Sequence, residues 1–243
     1  MASCLAERLG ELIDLSANEQ ASLDALEQRE RTLRRGAVLL RENDKLPELF
    51  VLRHGTMMSY VILPDGSRQI LRFLFRGDLI ATAGLVYYSS PETVIALTEC
   101  TVAPLERTAL GELMDAHPRL AGLMIAVDQM ERVALTDRLA GLGRTSAKAR
   151  VAALLIEIRN RLRAIEPAIG DSFALGLTQE EIGDATGLTA VHVNRMLRQL
   201  EDDRLIAREG GRFAFVNEPA LARMAYHVDR AAKLDLSWLP DPR

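Results

Sequence analysis

The chain has 243 residues, 48% hydrophobic and 26% charged, the mixture of a soluble globular protein with room for two modest domains. Its longest apolar run, Leu120 to Val127, has eight residues against the ~18 of a membrane helix, and no basic start followed by an apolar block opens the chain, so a cytoplasmic protein without a membrane partner is expected. Two cysteines, Cys4 and Cys100, are too few for a disulfide framework or a four-thiolate metal site, and the net charge of −4 divides into −5 over residues 1–143 and +1 over 144–243. Any contact with nucleic acid therefore requires the basic groups to gather on one face.

Residues Leu5 to Glu30 carry apolar rows at helical spacing, Leu9, Leu12 and Ile13 and then Leu23 and Leu26, with a turn at Ser16 to Asn18. From Thr32 the texture changes to short apolar runs: Ala37–Leu40, Leu49–Leu52, Met57–Leu63, Gln69–Phe75, Leu79–Ala81, Thr93–Leu97 and Thr101–Leu105. Short strands separated by glycine-bearing turns predict a small antiparallel barrel. Asp65-Gly66 marks a hairpin within it, since glycine accepts the positive φ of a tight turn. Residues 1–115 are read as one β-rich domain.

After Ala109 the helical period returns. Leu120, Leu123, Val127, Met130 and Ala134 follow at steps of three and four, the spacing by which two parallel helices pack a and d residues together. Residues 116–143 are expected to form a dimerisation helix; the competing arrangement is a helix lying on its own domain. Asp137 continues the same row, where it would face its own copy and loosen the lower interface by like-charge repulsion. Gly141 and Gly143, each about 1 kcal/mol worse than alanine in a helix, mark a hinge.

A second domain is assigned to residues 144–226 and a tail to 227–243. The domain opens with a helix over Ala147–Arg163 whose inner face is Val151, Leu154, Leu155, Ile158 and Leu162. Arg159, Arg161 and Arg163 are placed on a solvated outer side, and Pro167 and Gly170 close the segment. Thr178 with Glu181 forms a capping box, Gly187 ends the helix begun there, and Thr189 caps the next. Two short helices joined by a tight glycine turn make a helix-turn-helix.

Ile182, Ala185, Leu188, Val193, Met196, Leu197 and Leu200 are its interlocking apolar positions, and Gly183 lets the helices cross closely. Ala190, Val191, Asn194, Arg195 and Arg198 share the outward face. Arginine holds guanine O6 and N7 bidentately and asparagine does the same with adenine, whereas Val191 and Ala190 can meet only a thymine methyl, a composition that suits a major-groove reader. Gln179 and the amides after Thr178 suit a phosphate. A hairpin follows, Arg208-Glu209-Gly210-Gly211-Arg212 between two apolar runs, a β-wing that points Arg208 and Arg212 at the DNA backbone. The alternative is a helical hairpin with a solvated face.

The stretch "LTQEEIGDATGLTAVHVNRMLRQLEDDRLI" resembles the DNA-binding end of the CRP/FNR superfamily of bacterial regulators. The earlier "RRGAVLLREND" and "LFVLRHGTMMSYVILPDGSRQILRFLFRGDLIA" are similar to its cyclic-nucleotide-binding-like sensor, and the resemblance covers roughly residues 10 to 226. It implies an α+β chain of three parts: an N-terminal jelly-roll sensor, a long dimerisation helix and a C-terminal winged helix-turn-helix, closest in character to the FNR/FixK-like branch. It also implies duplex DNA, a second copy of the chain and RNA polymerase as partners. Arg195 matches the family's guanine-contacting arginine, Asn194 the neighbouring base-reading place, and His192 a position where threonine is common. Val191 departs from the pattern, since many members carry glutamate there, and without that acceptor a cytosine N4 donor has no partner.

The sensor departs as well. After Asp78 the chain reads "LIATAGLVYYSSPETVIALTE", without the Gly-Glu and Arg-Ser/Thr pairs of cyclic-AMP-binding members, and a phosphate buried without arginine is costly. Only Cys4 stands where iron–sulfur members cluster cysteines, and His54 and His117 are the candidate haem ligands in the front half, His54 beside a turn glycine as an ordinary surface residue is. No cofactor or metal is expected; an unidentified small molecule, a partner protein or abundance alone is left as the control. No catalytic residues emerge, since paired carboxylates, a phosphate loop and a nucleophile motif are missing. A ligand-binding module whose winged helix serves protein contacts remains the alternative to a transcription regulator.

Overall fold

Serines start the first two helices. Ser3 accepts a hydrogen bond from the Ala6 amide at the head of α1 (Cys4–Gly10), and Ser16 forms a capping box with Glu19 at the head of α2 (Ala17–Leu26). The computed structural model describes residues 2–166, 169–170, 172–230 and 233–242; Pro167 lies outside them. By internal contacts the chain divides into two units, one of Met1–Val61, Leu71–Val133 and Asp235–Arg243, the other of Ile62–Ile70 and Ala134–Leu234.

In the first unit, β1 (Arg31–Leu33), β8 (Cys100–Glu106), β3 (Glu48–His54) and β6 (Leu79–Ile80) form one sheet in that order. A second runs β2 (Val38–Leu40), β7 (Thr93–Ala96), β4 (Met57–Ile62) and β5 (Arg68–Leu74). β3 and β8 explain why their sequences read as unbroken apolar runs: both faces are covered. Phe50, Leu52, Cys100 and Val102 point between the sheets with Leu33, Leu40, Met57, Leu74 and Val94. Leu49, Val51, Ala103 and Leu105 point the other way, against Leu5, Leu9, Leu23, Leu110 of α3 (Arg107–Ala116) and Leu120 and Leu123 of α4 (Pro118–Arg144). The expected barrel is thus a two-sheet jelly roll with a helical cover. β1 was not foreseen from sequence; it is held by its pairing with the distant β8, Arg31 opposite Val102.

α4 is continuous through Gly141 and Gly143 as far as Arg144, so the break comes after the glycines rather than at them. Thr145 turns the chain by bonding Gly141 O through both its amide (3.0 Å) and hydroxyl (2.8 Å), and Ser146 caps α5 (Ala147–Ile165).

In the second unit α5 packs beside α6 (Gln179–Thr186), α7 (Ala190–Asp202) and α8 (Glu218–Met224). A three-stranded sheet runs β10 (Ile206–Glu209), β11 (Arg212–Phe215), β9 (Ser172–Ala174). Phe173 of β9 is its hub, edge-on to Phe215 at 5.4 Å and stacked at 6.2 Å on Phe213. Arg159 corrects the assignment of that residue to a solvated face: it is 1% exposed, lies over the Phe215 ring at 4.8 Å and forks onto the Glu218 carboxylate. A cation can occupy an inner helix position here because a ring face and a carboxylate replace its water.

Candidate nucleic-acid interface and subunit face

Local chemistry fixes the helix-turn-helix. The Thr178 hydroxyl accepts from the Glu181 amide (3.1 Å), while the Glu181 carboxylate accepts from the Thr178 amide (2.7 Å), so the start of α6 is closed on itself. Gly187 takes the left-handed conformation, φ 67°, that ends α6, and Thr189 caps α7 through the His192 amide. Gly183 meets the turn itself: a Cβ there would lie 2.3 Å from the Leu188 carbonyl oxygen, which accounts for glycine inside a helix. Ile182, Ala185, Val193, Met196, Leu197 and Leu200 are buried beneath this unit.

The opposite side of α7 is bare. Val191 is 81% exposed, and His192, Arg195 and Arg198 are exposed beside half-buried Ala190 and Asn194, with Thr178, Gln179 and Thr189 exposed at the two helix starts. The Arg195 guanidinium rests against His192 Nε2, one turn back. Charge is graded along the helix, with Arg195 and Arg198 ahead of Glu201 and Asp202 at its end. Glu201 is engaged by Arg208 of β10 at 2.5 Å, whose hydrogen bond holds that carboxyl below its ordinary range. Arg212 bonds the Ser172 hydroxyl (3.0 Å) and carbonyl (2.7 Å). Both wing arginines are therefore tied back into their own domain, Arg208 as the half-buried one, and neither extends freely from the Gly210-Gly211 turn between their strands.

On α4, burial takes Leu120 and Leu123 out of the expected subunit face. Leu120 and Leu123 are 0% exposed in the core of their own unit, with Val127 packed against it, which is the arrangement set against a partner seam above. Met130 is half-buried, and Ala134 and Asp137 are exposed. Asp137 is bound through both carboxylate oxygens by Arg230, at 2.8 Å each, and that pair holds its carboxyl below the usual range, so its charge is answered within the chain. A second row shows its side chains instead: Ala121, Ile125, Asp128, Arg132, Leu135 and Leu139, alternating steps of four and three, with Ile125, Leu135 and Leu139 exposed and Ala121 half-buried. Its signal was in the sequence, hidden because two of its six members are charged.

His54 lies exposed at the end of β3, and half-buried His117 shares a 2.8 Å hydrogen bond with the Ser22 hydroxyl. Cys4 and Cys100 are both buried free thiols whose pKa burial pushes up, which keeps them protonated and slow to react. Among the described residues no helix is long and apolar enough to cross a membrane.

A capped two-helix unit with a short wing, following a jelly roll and a long helix, defines a DNA-binding regulator with a sensor-type domain. Comparison with known proteins agrees at both ends: the cyclic nucleotide-binding domain model matches residues 30–117, and the Crp-like helix-turn-helix domain model matches residues 149–224. The chain is 28% identical over 220 residues to the fumarate and nitrate reduction regulatory protein of Escherichia coli, covering 90% of this chain and 87% of that one. It superposes on FixK2 from Bradyrhizobium japonicum with a TM-score of 0.73 at 27% identity, over 83% of this chain and 98% of that one. The same fold occurs in a CRP-family transcriptional regulator from Thermus thermophilus, with a TM-score of 0.63 at 24% identity, over 81% and 96% of the two chains. The chain belongs to the CRP/FNR superfamily of transcription regulators, which bind DNA and act as dimers.

Proposed function

We propose that two copies of this chain associate through α4 and lay their α7 helices in successive major grooves of a partly palindromic promoter site, with half-sites about 34–36 Å apart. What carries the reading is the start of α7, where Asn194, Arg195 and Arg198 line an outer face whose inner face is locked by buried Val193, Met196 and Leu197. A reader must be rigid behind and hydrated in front, so that base edges replace water without loss of hydrogen bonds. Arg195 is given guanine, Asn194 a neighbouring base and Val191 a thymine methyl. Thr178, Gln179, Thr189, His192 and Arg198 border the backbone, with Arg208 and Arg212 contributing mainly by holding the wing.

The subunit seam in this reading is the exposed row from Ala121 to Leu139 rather than the row from Leu120 to Asp137. Work at promoters places the protein in the cytoplasm, with RNA polymerase as its further partner. The direct test is Arg195→Ala. On the preferred site it loses ~1–3 kcal/mol and relaxes base choice at one position of each half-site, whereas on unrelated DNA its affinity changes little. Unchanged affinity for the preferred site overturns the assignment of α7.

A further inference from the structure

Residues 235–242 belong to the first unit, where Leu236 and Leu239 pack against the core that α1–α4 form with β3 and β8. Asp235 accepts from both the amide (3.0 Å) and the hydroxyl (2.7 Å) of Ser237, and the Leu239 amide reaches the Leu236 carbonyl at 3.1 Å, closing a tight turn. Beyond it, Pro240 and Asp241 close over a small cavity also lined by Glu19, His117, Pro118 and Arg119. The turn thus sends two leucines inward and holds Ser237 and one larger residue outward between them.

That residue is Trp238. It is 58% exposed, yet its ring edge lies 3.3 and 3.5 Å from where a Cβ on Gly122 of α4 would stand, and Leu239 comes closer still at 2.5 Å. Gly122 is what admits the tail to the helix. Ala121 is its neighbour and Ile125 stands three residues on, so the indole borders the exposed row at its upper end. A tryptophan set against Gly122 and left facing water beside the row that exposes Ile125 has the makings of an interface anchor: large contact area, few side-chain torsions to order and an N–H for the rim.

We infer that the C-terminal tail is part of the subunit interface, with Trp238 of each copy packing against the partner's α4 beside Ile125. The occupant is a second copy of this chain, because the patch continues the row on which the proposed dimer rests; the inference stands on that reading. It adds to a two-helix seam a wedge on either side, and it makes the tail a determinant of which chains pair.

Trp238 is the sole tryptophan of the chain, so its emission reports on this contact alone. Sedimentation equilibrium and emission are measured on the same dilution series of the full chain, then on Trp238→Ala and Ile125→Glu. Emission that moves to shorter wavelength in step with dimer formation, together with a dimer dissociation constant raised tenfold or more in Trp238→Ala, is the expected result. A dimer broken by Ile125→Glu but untouched by Trp238→Ala, with emission constant across the series, overturns the tail's role and leaves the α4 seam intact. Tighter pairing in Trp238→Ala overturns it too, because the tail would then compete with the partner. Failure of the wild-type chain to dimerise at any concentration removes the seam and the tail's role together.

Discussion

α7 and α4 each leave one face uncovered, and the two faces differ in kind. On α7 the bare residues are His192, Arg195 and Arg198 around a lone Val191, with Asn194 half-buried beside them; on α4 they are Ile125, Leu135 and Leu139 around Asp128 and Arg132. The first set holds water well until something equally polar displaces it, as phosphates and base edges do. The second holds water poorly and gains when apolar surface covers it. One helix therefore suits nucleic acid and the other suits protein, although α7 is backed by a core along its length and α4 is buried only as far as Leu123. The partner of a helix is read from the chemistry of its outer face, after burial has shown which face is outer.

The comparison breaks most sharply at α4. Ile125→Glu should raise the dimer dissociation constant about 100-fold, roughly 2.8 kcal/mol, because a carboxylate would have to lose its water at the seam; sedimentation shows whether it does. With the dimer lost, affinity for a two-half-site operator falls although α7 is unaltered. On α7 itself, Val191→Glu supplies an acceptor for cytosine N4. It should move base preference at one position of each half-site by about 1–3 kcal/mol, readable by selecting bound sequences before and after the change. An unaltered preference means that Val191 does not face bases.

The support behind α7 is tested by pH. Arg159 donates to Glu218 and holds its carboxyl below the ordinary glutamate range. A depressed folded-state pKa means stability that is present above the unfolded value and is lost as pH falls through the folded one. Glu218→Gln should therefore cost about 1–2 kcal/mol at neutral pH, its half-exposure reducing the effect of breaking a buried pair, and should flatten the acid limb of a urea-midpoint profile. The smallest effect belongs to the wing: Arg212→Ala should weaken all DNA sequences alike and lower the salt slope by about 1 or less.

What could be read in advance follows from how local each signal is. Thr178 with Glu181, Gly187 and Thr189 act within four residues of themselves, so the helix-turn-helix was legible to the residue. β9 and the burial of Arg159 depend on partners far along the chain, Phe213 and Glu218, and no short window contains both members of either pair. α4 failed for another reason. Period alone shows that Leu120, Leu123 and Val127 share a face, but not whether the cover is a partner or the chain's own domain. The answer lay in α1, α2 and β3, which claim that face.

Base reading by α7 from a twofold-related pair of subunits is met head on by selection of duplexes from a random library with the whole chain. It predicts enrichment of an inverted repeat whose half-sites are centred about 10–10.5 base pairs apart, each with a guanine that Arg195→Ala no longer requires. Enrichment of a single unrepeated motif, or of none, would contradict it.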